Sequence, residues 1–422
     1  MTDTAKSQER DLEMRNLRVE VSMQPMTIHE IEAAVGGRLL TPGETFPPVS
    51  AVGTDSRQVE PGSLFVPWKG EKYDGHRFID AALEAGAAGC LCAQVPEQLL
   101  PGKFYIQVPD TRLALRALAA SCRNRYDIPV IQITGSVGKT TTKEMMAAVL
   151  GAKLRVLKTQ GNFNNEIGLP LPLFRIRPEH QVAVVEMGIS DFGEMDRLGA
   201  MARPDMVIMT NIGQCHLENL GTRDGILQAK TEVFAHMPRT GRVILNGDDD
   251  KLQTADTHGM ETHFFGLHEQ EVYGTKIVGS VDHVEATLHT PQWEKRVCIP
   301  IPGEHNVYNA LAATVAGMLL DLSEQEIVSG IEHVSTISGR NHFIEANGMV
   351  VIDDCYNANP ASMRASLDVL SCADTRKVAV LGDMGELGEA KKQMHYEIGT
   401  YAAKLQIDLL CCIGELSADM YQ

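Results

Sequence analysis

Between residues 128 and 250 the apolar positions fall in short unbroken runs, VIQIT, VAVVEM, MVIMTN and RVILN, each followed by a polar loop or helical periodicity. Runs that are apolar on successive residues suit strands of a parallel sheet covered on both faces. This pattern predicts a central domain over residues 128–337. Upstream, from MTIHEIEAAVGGRLL to about Tyr126, shorter helical and strand patterns alternate with turns such as EPGS and KGEKYDGH. They predict a small α/β domain over 26–127, ending at YDIP, where a proline interrupts the helical period. From SGRNHF onward, MVVIDD, a helix after NPASM, KVAVLGD, a helix through HYEIGTYAAKL and IDLLCCIG alternate as in a doubly wound sheet. A third domain is therefore expected over 338–422, and the fold class is α/β with three domains. The polar opening, residues 1–25, reads as a disordered extension, with Met26 as a second candidate start. No internal repeat argues for a solenoid.

Composition narrows the function. The 422 residues are 44% apolar and carry a formal net charge of −17. Such a balance excludes a general nucleic-acid binder, which needs a basic face. Any phosphate ligand must be held by a local site. Nine cysteines, an odd number without a C-x-x-C pair, fit a reducing cytosol better than a disulfide framework. No run approaches the roughly 20 apolar residues of a membrane span, and the opening has no signal-peptide core.

The candidate chemistry begins at ITGSVGKTTTKEMM. VIQIT delivers Gly135, Ser136, Val137 and Gly138 into a turn, and Lys139, Thr140, Thr141 and Thr142 open the next helical pattern. Glycines let backbone N–H groups approach phosphate oxygens, and a helix N-terminus favours negative charge. Lys139 can reach the terminal phosphates and Thr140 can ligate magnesium. The strict G-x-x-x-x-G-K-[ST] spacing is not met, because Ile133 stands where its first glycine belongs.

Glu186 closes the run VAVVEM, and His216 lies in the loop MTNIGQCHLENLG. Loops beyond strand carboxyl ends are where open α/β sheets bind ligands. A carboxylate and an imidazole can ligate magnesium or manganese, although by themselves both residues read more simply as loop residues. Lys230, in ILQAKTEVF, has no role assignable from chemistry alone.

Taken in order, TDSR, DGHRF, GSVGKTTTKEM, GNFNNEIGLPL, EMGIS, NIGQCHLENLG, AKTEVF, GEHNVYNALAA, SGRNHF, DDCYNANPASM and LGDMGELG give a chain that resembles the ATP-dependent Mur ligases from about Met26 to its end. Within them it is most similar to the branch that adds D-alanyl-D-alanine. The resemblance implies a uridine-nucleotide domain, a central ATPase domain and a Rossmann-like C-terminal domain. It implies a cytoplasmic, monomeric enzyme in which ATP phosphorylates the terminal carboxylate of UDP-N-acetylmuramoyl-tripeptide. The amine of D-alanyl-D-alanine then attacks the acyl phosphate, giving the pentapeptide precursor of peptidoglycan.

By resemblance, Lys139 and Thr140 hold phosphates and one magnesium, Glu186 is a metal ligand, His216 serves a second magnesium, and Lys230 is the lysine that many relatives carry as a carbamate. Asn309, with Asn306 three positions before it, matches the adenine-reading asparagine. Arg340 matches an arginine that swings onto ATP phosphates, and Asp354 an acidic residue on the ribose. Thr159, Asn162, Asn164 and Asn165 become UDP-muramoyl contacts, and Ser56, Arg57 and His76 line the uridine pocket. Tyr356, Asn357 and Asn359 fall in the interdomain cleft.

The chain stops at ELSADMYQ, whereas the family continues to a last strand and a KGSR-like motif, so the expectation is a C-terminal domain short of its last segment. A missing strand would bare a sheet edge. The rival readings are another Mur ligase or a folylpolyglutamate-type ligase, an inactive nucleotide-binding paralogue, and a P-loop kinase or ATPase with another acceptor. DDCYNANP and GNFNNEIG favour the D-alanyl-D-alanine-adding branch over the other ligases.

Overall fold

The computed structural model describes residues 20–70, 74–335 and 339–422, which fall into two compact units. The first comprises the chain up to Ile128 together with 165–180 and 200–202. Its sheet contains β1 (Glu20–Met26), β2 (Arg38–Leu39), β3 (Val49–Gly53), β4 (Leu64–Phe65), β5 (Gly89–Cys92) and β6 (Phe104–Gln107), in the order β1-β3-β4-β5-β6-β2. Strands β3 to β6 run parallel, and both edge strands are antiparallel to their neighbours. Phe65, Ile79, Leu83, Cys90, Cys92 and Tyr105 fill a core against this sheet.

Strand β1 corrects the expected disordered extension for residues 20–25. Val21 and Met23 are buried, Ser22 is exposed, and this period of two is the strand signal in EVSMQ. A chain beginning at Met26 would lack the strand. Residues 1–19, the boundary at 337/338 and part of the KGEKYDGH turn lie outside the described residues.

The boundary at 127 also needs amendment, because residues 165–180 return to the first unit. Their helix, Pro170–Phe174, packs on the helix Thr111–Asn124 and on β1. Arg116 pairs with Glu166, and Arg177 Nη2 donates to Ser22 Oγ at 3.1 Å. All five residues of that helix are buried, a consequence of the apolar run LPLPLF.

The second unit holds a nine-stranded sheet: β7 (Val130–Thr134), β8 (Val156–Lys158), β9 (Val182–Glu186), β10 (Met206–Met209), β11 (Arg242–Asn246), β12 (Glu261–Gly266), β13 (Val272–Gly279), β14 (Val284–His289) and β15 (Glu294–Ile299). Their order is β15-β14-β13-β12-β11-β10-β7-β9-β8. The four apolar runs read from the sequence are β7, β9, β10 and β11, and they pair in parallel. The antiparallel strands β14 and β15 extend this sheet. Helices Lys139–Gly151, His305–Leu319 and Glu324–Glu332 pack together beside it. A Cβ on Gly330 would come within 2.3 Å of Val149 Cα, so glycine sets how closely two of these helices approach.

In the same unit, β16 (His342–Ala346) and β17 (Met349–Asp353) form an antiparallel hairpin, while β18 (Val378–Gly382) pairs in parallel with β19 (Leu409–Ile413). The expected strands exist, but among the described residues they form two separate ladders. The hairpin turn is Asn347–Gly348, with φ of 51° and 75°, the pair that a two-residue turn with two left-handed residues requires. Val378, Val380, Leu409 and Ile413 are exposed on the β18–β19 pair, whose other side packs with Met363, Leu367, Met394 and Ile398.

Candidate active site at a phosphate-binding loop

Strand β7 lies between β9 and β10, and the chain runs from β9 across β7 to β10. The loops leaving these three strands therefore share one end of the sheet, where the strand order reverses and α/β proteins place ligands. Gly135–Gly138 form the loop after β7, and Lys139 opens a 13-residue helix capped by Gly138 at φ 82°. Gly135 has φ 150°, and a Cβ there would lie 1.9 Å from Thr210 Oγ1. Gly135→Ala is expected to cost about 1–3 kcal/mol through strain and displacement of Thr210. Urea unfolding checks this, and a midpoint equal to that of the parent protein would refute the clash.

The loop is held by residues that the sequence reading passed over. Thr210 Oγ1 donates to Val137 O at 2.6 Å. Asn211 accepts from Val137 N at 3.0 Å and donates to Val137 O at 3.1 Å. Gly213 N donates to Ser136 Oγ at 2.8 Å. The Val137 N–H, expected at a phosphate, is thus committed to Asn211. Lys139 Nζ donates to Gly135 O at 3.0 Å and to Ser136 O at 3.3 Å.

Lys230 is 1% exposed, and its Nζ donates to the same Gly135 carbonyl at 3.1 Å. Two cationic side chains therefore converge on one oxygen. Burial, with repulsion from Lys139, lowers the Lys230 ammonium from its usual 10.5 to about 8. A solvated helix-face lysine would show neither the burial nor the shift.

Glu186, the last residue of β9, is 1% exposed. Its Oε1 accepts from Asn164 Nδ2 at 2.8 Å, and its backbone N–H donates to Thr159 Oγ1 at 3.1 Å. Its Oε2 has no hydrogen-bond partner. The nearest cation is Lys143 Nζ at 4.0 Å, which also sits 3.1 Å from Glu144 and donates to Gly161 O at 3.2 Å. A buried, orphaned carboxylate oxygen is costly, and a metal ion would satisfy it. Lys143 was missed although it lies four residues after Lys139, hence on nearly the same helix face. Thr159, expected at substrate, is fully buried, and its hydroxyl accepts from the Glu186 N–H.

His216 adopts φ 53° at the start of the helix Leu217–Leu220. Its Nδ1 makes an ion-pair contact with Glu386, without hydrogen-bond geometry. Thr140 is buried in the first helical turn, and Thr141 is half-buried. Together with Glu186 and His216 these residues supply few anionic ligands. That fits magnesium, which keeps waters and borrows substrate phosphate oxygens rather than occupying an all-protein cage.

Asn309 is 4% and Asn306 0% exposed. Thr142 Oγ1 donates to Asn309 Oδ1 at 2.8 Å, Asn309 donates to Asn306 at 2.8 Å, and Asn306 donates to Pro302 O at 2.7 Å. The pair that looked like a base reader is also a buried polar chain tying the helix His305–Leu319 to the phosphate-loop helix.

In the last part of the unit, the Arg340 guanidinium lies 4.2 Å from the Tyr356 ring centroid, and Asn162 Nδ2 donates to Tyr356 Oη at 2.7 Å. Asp354 accepts from Asn341 N at 3.3 Å and from Ser366 Oγ. Asn357 accepts from Ala358 N at 2.9 Å and is exposed. Asn359 caps the helix Pro360–Ser371, with Oδ1 accepting from Ala361 N and Ser362 N.

In the first unit, Arg57 forms a two-point pair with Asp55 at 2.9 and 2.7 Å, and Ser56 lies half-buried in the same turn. Both ring nitrogens of His76 are engaged: Nδ1 lies 2.6 Å from Asp74, and Nε2 is 3.0 Å from Ala93 N. Asn165 Oδ1 accepts from Ile167 N and Gly168 N, closing a turn of its own loop.

Known proteins share this organisation. Family models described as Mur ligase family, catalytic domain; Mur ligase middle domain; and Mur ligase, glutamate ligase domain match residues 48–123, 133–317 and 339–422. The UDP-N-acetylmuramoyl-tripeptide–D-alanyl-D-alanine ligase of Bacillus subtilis is 38% identical over 93% of this chain and 86% of its own length. A crystal structure of MurF from Acinetobacter baumannii superposes with a TM-score of 0.90 at 36% identity, covering 95% of this chain and 88% of that one. The MurF ligase of Thermotoga maritima in complex with ADP gives a TM-score of 0.80 at 28% identity, covering 87% and 86%. With a looped cradle after β7, a buried carboxylate at the end of β9 and this likeness over nearly its full length, the chain belongs to the Mur ligase family.

Proposed function

We propose that this protein is an ATP-dependent ligase that joins D-alanyl-D-alanine to UDP-N-acetylmuramoyl-tripeptide through an acyl phosphate. Within the site, the observation that carries the reading is the buried, half-satisfied Glu186 beside the Lys139 loop, in a chain similar over most of its length to relatives of that name.

Lys139 and the free N–H groups at the helix N-terminus hold the β and γ phosphates. The tripeptide carboxylate oxygen bonds to the γ phosphorus as the bond to ADP breaks, leaving an acyl phosphate. The amine of D-alanyl-D-alanine then attacks the acyl carbon, loses a proton to solvent, and the tetrahedral adduct expels phosphate. Two magnesium ions held by Thr140, Glu186, His216 and a carbamylated Lys230 would neutralise charge on the transferring group. Glu186 is kept in place by Asn164 and Thr159. Asn309 reads adenine through the amide valences that Thr142 and Asn306 leave free. Arg340 approaches the ATP phosphates and Asp354 the ribose. Asn162, Asn164 and Asn165 meet the UDP-muramoyl part, with Ser56, Arg57 and His76 near uridine and Tyr356 and Asn357 in the cleft.

The enzyme acts as a cytoplasmic monomer on this reading. Among the described residues no helix is long and apolar enough to cross a membrane.

The deciding experiment is phosphate release from ATP with UDP-muramoyl-tripeptide, with and without D-alanyl-D-alanine, in magnesium and bicarbonate. Release that needs both substrates, with pentapeptide detected by mass spectrometry and lost in Lys139→Ala, is the expected result. ATP hydrolysis indifferent to both would overturn the assignment.

A further inference from the structure

Five and six inter-strand steps from β7, roughly 24 and 29 Å at ordinary strand spacing, the outer strands β14 and β15 place Glu285 directly opposite Cys298. Opposed residues of an antiparallel pair project from the same face, and His283, two positions before Glu285, shares it. A ring nitrogen of His283, a carboxylate oxygen of Glu285 and the sulfur of Cys298 all lie within 4.8 Å of one another. Among the described residues this is the one such group of three or more histidine, cysteine or acidic side chains. Neither the phosphate loop nor the proposed ligation uses any of the three.

We propose that His283, Glu285 and Cys298 form a site for a divalent transition metal, zinc by its donor set, separate from the magnesium sites at ATP. One sulfur, one nitrogen and one oxygen with a water completing the tetrahedron match zinc coordination, with bonds of about 2.3 Å to sulfur and 2.0–2.2 Å to nitrogen and oxygen. Ligand atoms drawn onto such an ion stand roughly 3.5 Å apart, so these partly exposed side chains close by about 1 Å through small χ changes.

The surroundings favour a cation. Asp282 Oδ1 lies 2.7 Å from His283 Nδ1, and accepting that proton leaves Nε2 as the ligand, the carboxylate–histidine arrangement common at zinc. Glu332 accepts from Cys298 N at 3.4 Å. Arg296 is the opposing cation, but it engages only Oε2 of Glu285, at 2.8 and 3.2 Å, leaving Oε1 for the metal. On binding, the thiol proton passes to solvent, so affinity should rise with pH.

Cobalt(II) titration of the full chain in excess magnesium tests the proposal. One equivalent should bring in a near-ultraviolet thiolate-to-metal band and intense four-coordinate visible bands, both displaced by zinc. Cys298→Ser should abolish the thiolate band. His283→Ala and Glu285→Gln should each weaken binding about tenfold or more, with ligase activity in magnesium unchanged in all three. A band that survives Cys298→Ser, or parental affinity in both other variants, would overturn the site, as would no band at millimolar cobalt.

Discussion

Glu186→Gln should leave the protein folded and nucleotide-competent while lowering kcat for pentapeptide formation by about 10²–10³-fold. Glutamine is isosteric with glutamate, and its Oε1 can still accept from Asn164, as Glu186 does at 2.8 Å. What changes is Oε2, the buried oxygen that has no hydrogen-bond partner. As an amide it can neither carry charge nor ligate a cation. The loss therefore falls on the phosphoryl-transfer transition state, where negative charge is greatest, and the magnesium dependence of turnover should shift to higher concentration. Steady-state kinetics across a magnesium series separate this from a folding defect. Turnover within about threefold of the parent, at unchanged magnesium dependence, would exclude Glu186 from the metal site.

The second large effect is expected at Lys230. Burial holds its ammonium at about 8, so near neutral pH a usable fraction of the side chain is free amine. That amine can add to carbon dioxide, forming an N–C bond and releasing one proton, and the product is an anionic ligand beside Gly135. At fixed dissolved carbon dioxide, carbamate should increase with pH, most steeply below about 8, where the ammonium must also give up its proton. With ¹³C-labelled bicarbonate, a carbamate resonance should appear in the parent and vanish in Lys230→Ala, with kcat lowered by about 10²-fold or more. Absence of the resonance at pH 8.5 under saturating bicarbonate would mean that Lys230 acts unmodified.

The same shift has a stability consequence in carbonate-free buffer. Between about pH 8 and 10.5 the unfolded chain keeps a proton on Lys230 that the folded chain has released. Unfolding then takes up a proton, so stability should rise with pH across that window, by on the order of 3 kcal/mol. Lys230→Met should flatten this part of the pH profile, since it removes the titrating group while retaining a long apolar stem. A parallel profile in parent and variant would mean that Lys230 is ordinary in its titration.

How far the sequence reached can be judged residue by residue. Largely apolar runs located β7, β9, β10 and β11, because a strand covered on both faces is apolar at most positions rather than at alternate ones. GSVGKT located the loop between β7 and the helix Lys139–Gly151, since glycines following a strand and preceding a helical pattern mark such a turn. Glu186 and Lys230, by contrast, are ordinary letters in the chain. Their burial, the orphaned oxygen on one and the depressed ammonium of the other arise from neighbours distant in sequence, such as Gly135, 95 residues before Lys230. The same holds for Asn359, Thr159 and His76, whose hydrogen bonds at a helix cap, a strand end and a loop are set by the fold. Asn211 and Thr210, which hold the loop, were invisible because their partner Val137 lies more than 70 residues away. Local periodicity and turn chemistry are written in adjacent residues and can be read there. Desolvation and hydrogen-bond satisfaction depend on which segments the fold brings together, and only the tertiary structure decided those.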